Sequence, residues 1–571
     1  MEQLQEFYLM MRKKGIMNNN KSKQNIGIRP ERSELLMPAG NLQKLKMAVL
    51  YGADAIYLGT PDMSLRTKSQ FSLENVIEGV KFAHSHGKRV YLTLNLFSHN
   101  KDIPKLEQYI ETVRTVKPDG LIIADPGVFQ FVKENAPELE LHVSTQANIC
   151  SWLSVKFWED QGASLCVMAR EVSFAELSEI REKCPDIKLE AFVHGAMCMT
   201  YSGRCLLSNY MSERGANQGN CANSCRWNYK VHMKLKDGTV KELELTEENM
   251  DMFEFFLEEG VRAGELLPFE ENERGSYILN SKDLCLMPKL NDYLSIGVDS
   301  LKVEGRNKSQ YYVAMVARAY RMAIDDWYKN PENWNPKEYL KELETVPNRG
   351  YTLAFHEGRL TNYAHNYEDT HTLAEWEFAG LIDEVQDDAF IVEVKNMMEA
   401  GDVLEFVSPI SRKTLLLRIY EFENIKNGKI TSEVHAGPKP LIRIPFSLFD
   451  HEDIEFLKTG FPELSVIRKE RALTQDQWDR LKLDDEAHKL EMGKGNENRY
   501  EEKRGKLEES IAEDALERRH KTPRLGVEGC CGKGCNGCLI FWNDPSYAKA
   551  REKLAAKKQG EMLEEDMREV S

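Results

Sequence analysis

Short apolar runs alternate with amphipathic stretches from Glu34 to Arg306, and no other sequence feature constrains the fold as strongly. The runs have the length of strands, and the stretches between them have the apolar spacing of helices, as in 42–51, 73–86 and 174–183. The runs are ELLMPAG from Glu34, AIYLG from Ala55, RVYLTLN from Arg89, GLIIADP from Gly120, LHVSTQ from Leu141, SLCVMAR from Ser164, LEAFVHG from Leu189 and SLKVEGR from Ser300. This pattern predicts an α/β fold, a TIM-like (β/α)8 barrel of parallel strands. An open doubly wound sheet is the alternative.

Polar residues follow the predicted strands where each strand ends. They are Asn95, Asp125, Ser144, Gln146, Asn148, Arg170, Glu171, His194, Lys302, Glu304 and Arg306. In a barrel of this type the loops after the strands converge on one face and carry the chemistry. Taken singly, each residue also fits a structural role as a helix cap or in a buried ion pair. Their shared location predicts the functional site.

The remaining sequence divides into segments of distinct composition. The barrel is predicted over residues 33–355, with an insertion at 196–296 that is far longer than an ordinary connection and contains an acidic stretch, 246–260, expected to be helical. Alternating short strands predict a small β-barrel domain at 375–472. We expect a disordered N-terminal arm at 1–32, a charged linker or helix at 475–523 and a Cys-rich tail at 524–571.

Charge and hydrophobicity exclude several classes of protein. No segment reaches the ~20 consecutive apolar residues of a membrane span, and the first thirty residues do not resemble a signal peptide. A cytoplasmic protein without a membrane partner is therefore expected. The formal net charge of −16 opposes nonspecific attraction to phosphate backbones, so an RNA substrate would require a local basic patch.

Four cysteines lie within the insertion: Cys198, Cys205, Cys221 and Cys225. They are separated by six, fifteen and three residues, and glycines between them provide turns. Four thiolates suit an iron–sulfur cluster, and they also suit structural zinc. The spacing alone does not separate these two metals.

A second group of cysteines is compact and rich in glycine: Cys530, Cys531, Cys535 and Cys538. The grouping predicts a second metal site, with zinc or an iron–sulfur cluster as its occupant, and a redox-active thiol module is the alternative. Two adjacent cysteines bind one metal only with a strained local backbone, so three of the four are expected as the true ligands.

Several segments together resemble the collagenase-like (PrtC-type) peptidase family. These are the HGAMC…C…C…C segment from His194, ELLMPAGN, ADAIYLG from Ala53, VSTQANI from Val143, NSKDLC from Asn280 and SLKVEGRNKSQYYVA from Ser300. The resemblance covers about residues 33–355, and the small β-barrel resembles the family's C-terminal extension.

The resemblance implies more than a fold. Members of the family similar to this chain carry an iron–sulfur cluster and hydroxylate a tRNA wobble uridine with prephenate in place of dioxygen. By matching positions, Cys198, Cys205, Cys221 and Cys225 are implied as ligands of a [4Fe–4S] cluster, with the iron–sulfur assembly machinery as a partner. The cations Arg170, Lys302 and Arg306 are candidates for binding prephenate. His194, Arg170 and Glu304 are the candidate catalytic residues.

Arginines and aromatic residues beside the first cysteine group are the candidate RNA contacts: Arg204, Arg214, Arg226, Trp227 and Tyr229. Trp227 and Tyr229 would equally well shield a cluster from solvent. Two other functions remain open. One is a peptidase, for which the sequence contains neither HExxH nor GxSxG. The other is a noncatalytic iron–sulfur protein that binds RNA.

Overall fold

The computed structural model describes most of the chain between residues 31 and 470. The described residues are 31–59, 71–95, 98–100, 102–197, 281–358, 364, 376–449 and 453–470, with the strand backbones 232–234, 240–242, 255–258, 266–272 and 275–277. The predicted arm at 1–32 lies almost wholly outside them. The predicted linker at 475–523 and the tail at 524–571 lie outside them entirely.

Seven parallel strands begin the barrel. They are β1 Glu34–Pro38, β2 Ala55–Leu58, β3 Arg89–Leu94, β4 Gly120–Ile123, β5 Glu140–Val143, β6 Leu165–Val167 and β7 Lys188–Ala196. Each strand pairs in parallel with the next along the chain.

The insertion after β7 also contains strands. They are β8 His232–Lys234, β9 Val240–Glu242, β10 Phe255–Glu258, β11 Leu266–Asn272, β12 Gly275–Tyr277 and β13 Asp283–Cys285. β10 pairs antiparallel with β11, so the helix expected over 246–260 is wrong at these residues. The sequence FFLE contains residues that favour strands, and the acidic residues around it obscured this preference.

The eighth barrel strand, β14 Ser300–Val303, closes the sheet. Ser300 is in register with Glu190 of β7 on one side and with Glu34 of β1 on the other, and both pairings are parallel. This confirms the predicted TIM-like barrel and excludes the open sheet. A short strand, β15 Tyr351–Thr352, extends the sheet through β13.

Helices flank the strands and the C-terminal sheet. They are α1 Leu42–Leu50, α2 Leu73–Ser85, α3 Pro104–Val116, α4 Pro126–Asn135, α5 Trp152–Asp160, α6 Phe174–Lys183, α7 Leu290–Ser295, α8 Gln310–Lys329, α9 Lys337–Glu344 and α10 Ile454–Gly460. Short 3-10 helices occur at Thr145–Ala147, Met287–Lys289, Pro331–Asn333 and Phe446–Leu448. Side chains cap the first turns of many of these helices, as Ser173 does for α6 in a capping box with Glu176. Among the described helices, none is long and apolar enough to cross a membrane.

A curled antiparallel sheet follows the barrel. Its strands, with two short flanking ones, are β16 Trp376–Val385, β17 Ala389–Val394, β18 Met398–Glu399, β19 Val403–Val407, β20 Thr414–Arg418, β21 Phe422–Asn424, β22 Ile430–Thr431, β23 Glu433–Val434, β24 Leu441–Pro445 and β25 Val466–Glu470. The order is β20-β19-β25-β16-β17-β24-β21-β22. This sheet has its own apolar core, which includes Phe390, Phe406 and Phe461.

Hydrogen bonds and ion pairs join this sheet to the barrel. The Tyr51 hydroxyl, at the end of α1, accepts a hydrogen bond from the Val466 amide (2.9 Å) and lies 3.0 Å from the Val407 carbonyl oxygen. Arg468 of β25 is 5% exposed. Its guanidinium contacts Glu405 (2.7 Å) in the sheet and Glu342 (3.3 Å) in α9. Arg468 therefore ties the sheet to the barrel helices.

We expect Arg468→Ala to lower the free energy of unfolding by about 3 kcal/mol, because it leaves the buried Glu405 carboxylate without its cation, while Glu342 keeps its contact with Arg318. Urea denaturation followed by fluorescence measures the change. Arg443→Ala is the matched control: Arg443 pairs with the largely exposed Asp388, and its loss should change stability by less than about 1 kcal/mol. Equal effects of the two substitutions would contradict the role assigned to Arg468.

Candidate functional site

The interior of the barrel is unusually polar. Three ion pairs lie along its strands: Glu34 with Arg89, Glu140 with Lys188, and Glu190 with Lys302. The apolar side chains inside form only a small cluster, separate from the core beneath the helices: Leu36, Ala55, Tyr57, Tyr91 and Ile122. Barrels of this type are ordinarily filled with branched apolar residues. The charged interior therefore needs an explanation beyond packing.

Glu190 and Lys302 form the pair nearest the carboxyl ends of the strands. The Lys302 ammonium lies 2.6 Å from Glu190 Oε1, and the Ser300 hydroxyl donates to Glu190 Oε2 at 2.8 Å. Glu190 is completely buried and Lys302 is 5% exposed. Burial lowers the pKa of Lys302, and the Glu190 carboxylate opposes this effect. Lys302 therefore has one of the structural roles expected for strand-end residues, that of a partner in a buried ion pair.

Three cations and two aromatic rings line one side of the barrel mouth. The Arg170 guanidinium carbon lies 4.1 Å from the centroid of the Phe192 ring. The Lys302 ammonium lies 5.5 Å from the same ring and 4.6 Å from the Tyr57 ring, which the Arg306 guanidinium carbon approaches to 5.5 Å. We call Arg170, Lys302 and Arg306 the cationic arc. These residues come from three separate places in the sequence, and the structure brings them together.

Arg170 also borders an open cleft. The cleft opens to solvent, and its lining includes Phe192, Leu284, Tyr293 and His356. The Nε atom of Arg170 is buried without a hydrogen-bond partner among the described residues. The arrangement provides a cation beside apolar walls, which suits an anion that carries an apolar ring.

Amide and hydroxyl groups line the next part of the mouth. The Thr93 hydroxyl accepts a hydrogen bond from Arg306 at 3.1 Å. Asn95, two residues later, lies 3.4 Å from the Ser144 hydroxyl through its Nδ2 atom. The backbone amide of Gln146 donates to the same hydroxyl at 3.3 Å. The polar residues after β3 and β5 therefore form one connected group.

His194 lies elsewhere. Its ring is 1% exposed and packs against the rings of Tyr312, Tyr320 and Tyr351, with centroids 5.4–5.8 Å away. The register of β7 against β14 shifts after Phe192, so the strand's side chains do not alternate regularly there. His194 consequently packs against helix α8, whereas Phe192 faces the cationic arc. Its predicted catalytic role stays a prediction.

The backbone of Glu304 makes two hydrogen bonds. Its amide donates to the His194 carbonyl at 2.8 Å, and its carbonyl accepts from the Tyr312 hydroxyl at 2.7 Å. Gly195, at φ +120°, lies so close that an added Cβ would come within 2.5 Å of the Glu304 carbonyl oxygen. The end of β7 is thus pressed against the end of β14. A catalytic role of the Glu304 carboxylate also stays a prediction.

Other strand-end residues have structural roles. Asp125 caps helix α4, because its carboxylate accepts hydrogen bonds from the amides of Gly127 (2.8 Å) and Val128 (3.1 Å). Tyr57, Phe192 and Glu190 were not predicted as site residues, because they lie within strands and the predicted site residues follow the strands. The two-residue alternation within β7 places Glu190 and Phe192 on one face, but it does not show which face lines the barrel interior, and Tyr57 lies in a different strand, β2.

The predicted metal ligands lie outside the described residues. This applies to Cys198, Cys205, Cys221 and Cys225, to Cys530, Cys531, Cys535 and Cys538, and to the proposed RNA contacts from Arg204 to Tyr229. Within the described ranges, no group of three or more His, Cys, Asp or Glu side chains could hold a metal ion. In the sequence, Cys198 is two residues beyond Ala196, the last residue of β7.

The burial of His194 predicts a pH dependence of stability. Burial lowers its pKa from 6.5 to about 3, so the folded protein resists protonation that the unfolded chain accepts. Relative to His194→Gln, wild-type stability should be complete above pH 6.5. It should fall below that pH by up to about 1.4 kcal/mol per pH unit.

Urea unfolding of both proteins between pH 4.5 and 7.5 measures this difference, and subtracting the two profiles cancels the other titrating groups. A flat difference profile would show that the His194 ring is accessible to protons in the folded state.

Comparisons with known proteins identify the family. The profile of peptidase family U32 matches residues 40–366, which is more than half of the chain. The chain is 40% identical over 419 residues to tRNA hydroxylation protein P of Escherichia coli (strain K12), covering 69% of this chain and 89% of that protein. It is 37% identical to tRNA hydroxylation protein P1 of Bacillus subtilis (strain 168), with 73% and 92% covered.

A third relative modifies a different RNA. The chain is 32% identical to the 23S rRNA 5-hydroxycytidine C2501 synthase of Escherichia coli (strain K12), covering 52% of this chain and 39% of that protein. The family match includes every member of the cationic arc, the residues around Ser144, and the cysteines that follow β7. These matches confirm the resemblance to the collagenase-like peptidases, and the chain belongs to peptidase family U32.

Proposed function

We propose that this protein is an enzyme that hydroxylates a pyrimidine base of tRNA, specifically C5 of the wobble uridine, with prephenate as the oxygen donor. The observation that carries the proposal is the cationic arc at the barrel mouth, in a chain that is 40% identical to a tRNA hydroxylation protein over 89% of that protein's length. A tRNA substrate also implies a cytoplasmic location.

The arc supports an anionic co-substrate. Prephenate carries two carboxylates, and guanidinium groups bind carboxylates through paired, charge-assisted hydrogen bonds. Glu190 already neutralises the charge of Lys302. The arginines Arg170 and Arg306 therefore supply the positive charge that binds the ligand, and Lys302 helps to hold the geometry of the arc. The apolar cleft beside Arg170 suits the ring of such a ligand.

The overall reaction balances without dioxygen. Conversion of a C–H bond to C–OH inserts one oxygen atom and is a two-electron oxidation of the base. The donor leaves with one oxygen fewer and is reduced by the same two electrons. The side chains of the mouth orient the donor and the base, since oxygen insertion exceeds the chemistry of side chains alone.

The four thiols of Cys198, Cys205, Cys221 and Cys225 fit the donor set of a [4Fe–4S] cluster. Such a cluster would supply one-electron transfer at the site. Since a cluster must be delivered to these thiols, we also propose the iron–sulfur assembly machinery as a partner. We further propose that Cys530, Cys531, Cys535 and Cys538 hold a second metal, either zinc or an iron–sulfur cluster.

Three of the four described thiols do not favour a peptidase mechanism. Burial raises the pKa of Cys150, Cys166 and Cys184, and for Cys184 the value is about 11. A nucleophilic cysteine has a lowered pKa and a partner that stabilises its thiolate. These three thiols remain protonated at neutral pH.

A reconstituted reaction tests the proposal. We expect the anaerobically purified chain to form 5-hydroxyuridine in tRNA when prephenate is added, detected as a nucleoside by mass spectrometry. Arg170→Ala and Arg306→Ala should each raise KM for prephenate about 10- to 100-fold, because each removes a charge-assisted hydrogen bond. Arg114→Ala, on the exposed face of α3, is the matched control. Absence of hydroxyuridine would overturn the function, and an unchanged KM would overturn the role of the arc.

Iron analysis tests the cluster separately. The anaerobically reconstituted protein should contain at least about four iron and four sulfide per chain and absorb in the visible range. Cys198→Ser or Cys225→Ser should lower both contents, whereas Cys150→Ser, a cysteine outside the motif, should retain them. A wild-type protein that holds no iron or sulfide would contradict the cluster.

A further inference from the structure

Two buried amide side chains in the barrel mouth have incomplete hydrogen bonding. Asn95 and Gln146 are each 8% exposed. Their oxygens, Asn95 Oδ1 and Gln146 Oε1, are buried and make no hydrogen bond within the described part of the chain. Buried polar atoms in folded proteins are nearly always paired, so two unpaired oxygens within one small group require an explanation. We call Asn95 and Gln146 the amide pair.

Ser144 joins the two residues of the amide pair. The Ser144 hydroxyl contacts Asn95 Nδ2 at 3.4 Å and accepts from the Gln146 backbone amide at 3.3 Å, so it links the strand ends of β3 and β5. The oxygens and nitrogens of an amide can be exchanged by a flip of the group. With either orientation of Asn95, one end bonds to Ser144 and the other end remains for a ligand.

The amide pair adjoins the cationic arc. Thr93, which accepts a hydrogen bond from Arg306, lies in β3, and Asn95 directly follows the last residue of that strand. Residues two positions apart on an extended chain are about 7 Å apart. An anion held by the arc and a planar ring held by the amide pair would therefore lie side by side.

We propose that the amide pair recognises the polar edge of the pyrimidine base that enters the barrel mouth. This inference rests on the proposed function and names the contacts that select its substrate. The Asn95 oxygen that Ser144 leaves unpaired can accept a hydrogen bond from the N3–H of uracil, and the Gln146 side-chain amide can donate to the adjacent carbonyl. The base must leave its stack to reach the mouth, and enzymes that modify bases read the extruded base through this edge.

Stability distinguishes recognition from a structural role. An unpaired buried oxygen destabilises the folded protein, so replacing the amide by an apolar side chain of similar shape should not lower stability. We expect Asn95→Leu and Gln146→Met to leave the melting temperature unchanged or to raise it. If the amide pair served only to hold the strand ends together, both substitutions would lower the melting temperature by several degrees.

Binding measures recognition directly and does not depend on turnover. The probes are two fluorescent anticodon stem–loops, one with uridine and one with N3-methyluridine at the wobble position. The methyl group removes the N3–H donor. The wild-type protein should bind the uridine RNA at least 10-fold more tightly than the methylated RNA, and the Asn95→Leu/Gln146→Met double variant should bind both with the weaker affinity. Gln130→Met, an exposed amide on α4, is the matched control and should discriminate as the wild type does.

Each outcome decides a different point. Equal binding of the two RNAs by the wild type, or retained discrimination in the folded double variant, overturns the inference. Discrimination in binding by the wild type with no hydroxyuridine formed from the uridine RNA supports the inference and overturns the proposed reaction. Loss of discrimination together with an unchanged melting temperature is the result that we expect.

Discussion

The buried ion pair between Glu190 and Lys302 is the interaction on which the geometry of the barrel mouth depends. Removing two charges from water is costly, and the cost is offset only when the partners meet closely and their remaining hydrogen bonds are made. The 2.6 Å contact and the hydrogen bond from Ser300 meet this condition. The pair fixes the Lys302 ammonium between the rings of Tyr57 and Phe192, and these rings are the surfaces on which the two arginines of the arc lie.

The same pair explains how a strongly acidic protein can present a positive site. The chain has a formal charge of −16, yet the interior carboxylates are each matched by a cation. The field at the mouth is therefore set by the arginines that lie beyond the last pair. Low-dielectric walls strengthen that field locally, so a small anion is attracted even though the protein as a whole repels phosphate.

The sequence predicted the barrel because its strands are short apolar runs separated by helices, a pattern that only a few architectures accommodate. It also predicted Arg170, Lys302 and Arg306 as members of one site, since strand ends of a parallel barrel converge. It could not predict the aromatic rings beneath them. Tyr57 and Phe192 lie inside apolar runs, where an aromatic residue is expected for packing alone. Which face such a residue occupies depends on register, which is set by pairing between distant strands.

The strand that carries His194 shows why the remainder of the site was beyond sequence reasoning. Regular alternation from Glu190 would place Phe192 and His194 on the same face of β7. The register shift opposite Lys302 and Val303 breaks the alternation, and Gly195, at positive φ, lets the strand end lie against Glu304. Phe192 keeps the alternation from Glu190 and faces the cationic arc, whereas the irregularity that follows turns His194 toward the tyrosines of the flanking elements. A sequence pattern records the residues at both positions, but the shift itself arises only when β7 and β14 pair to close the barrel.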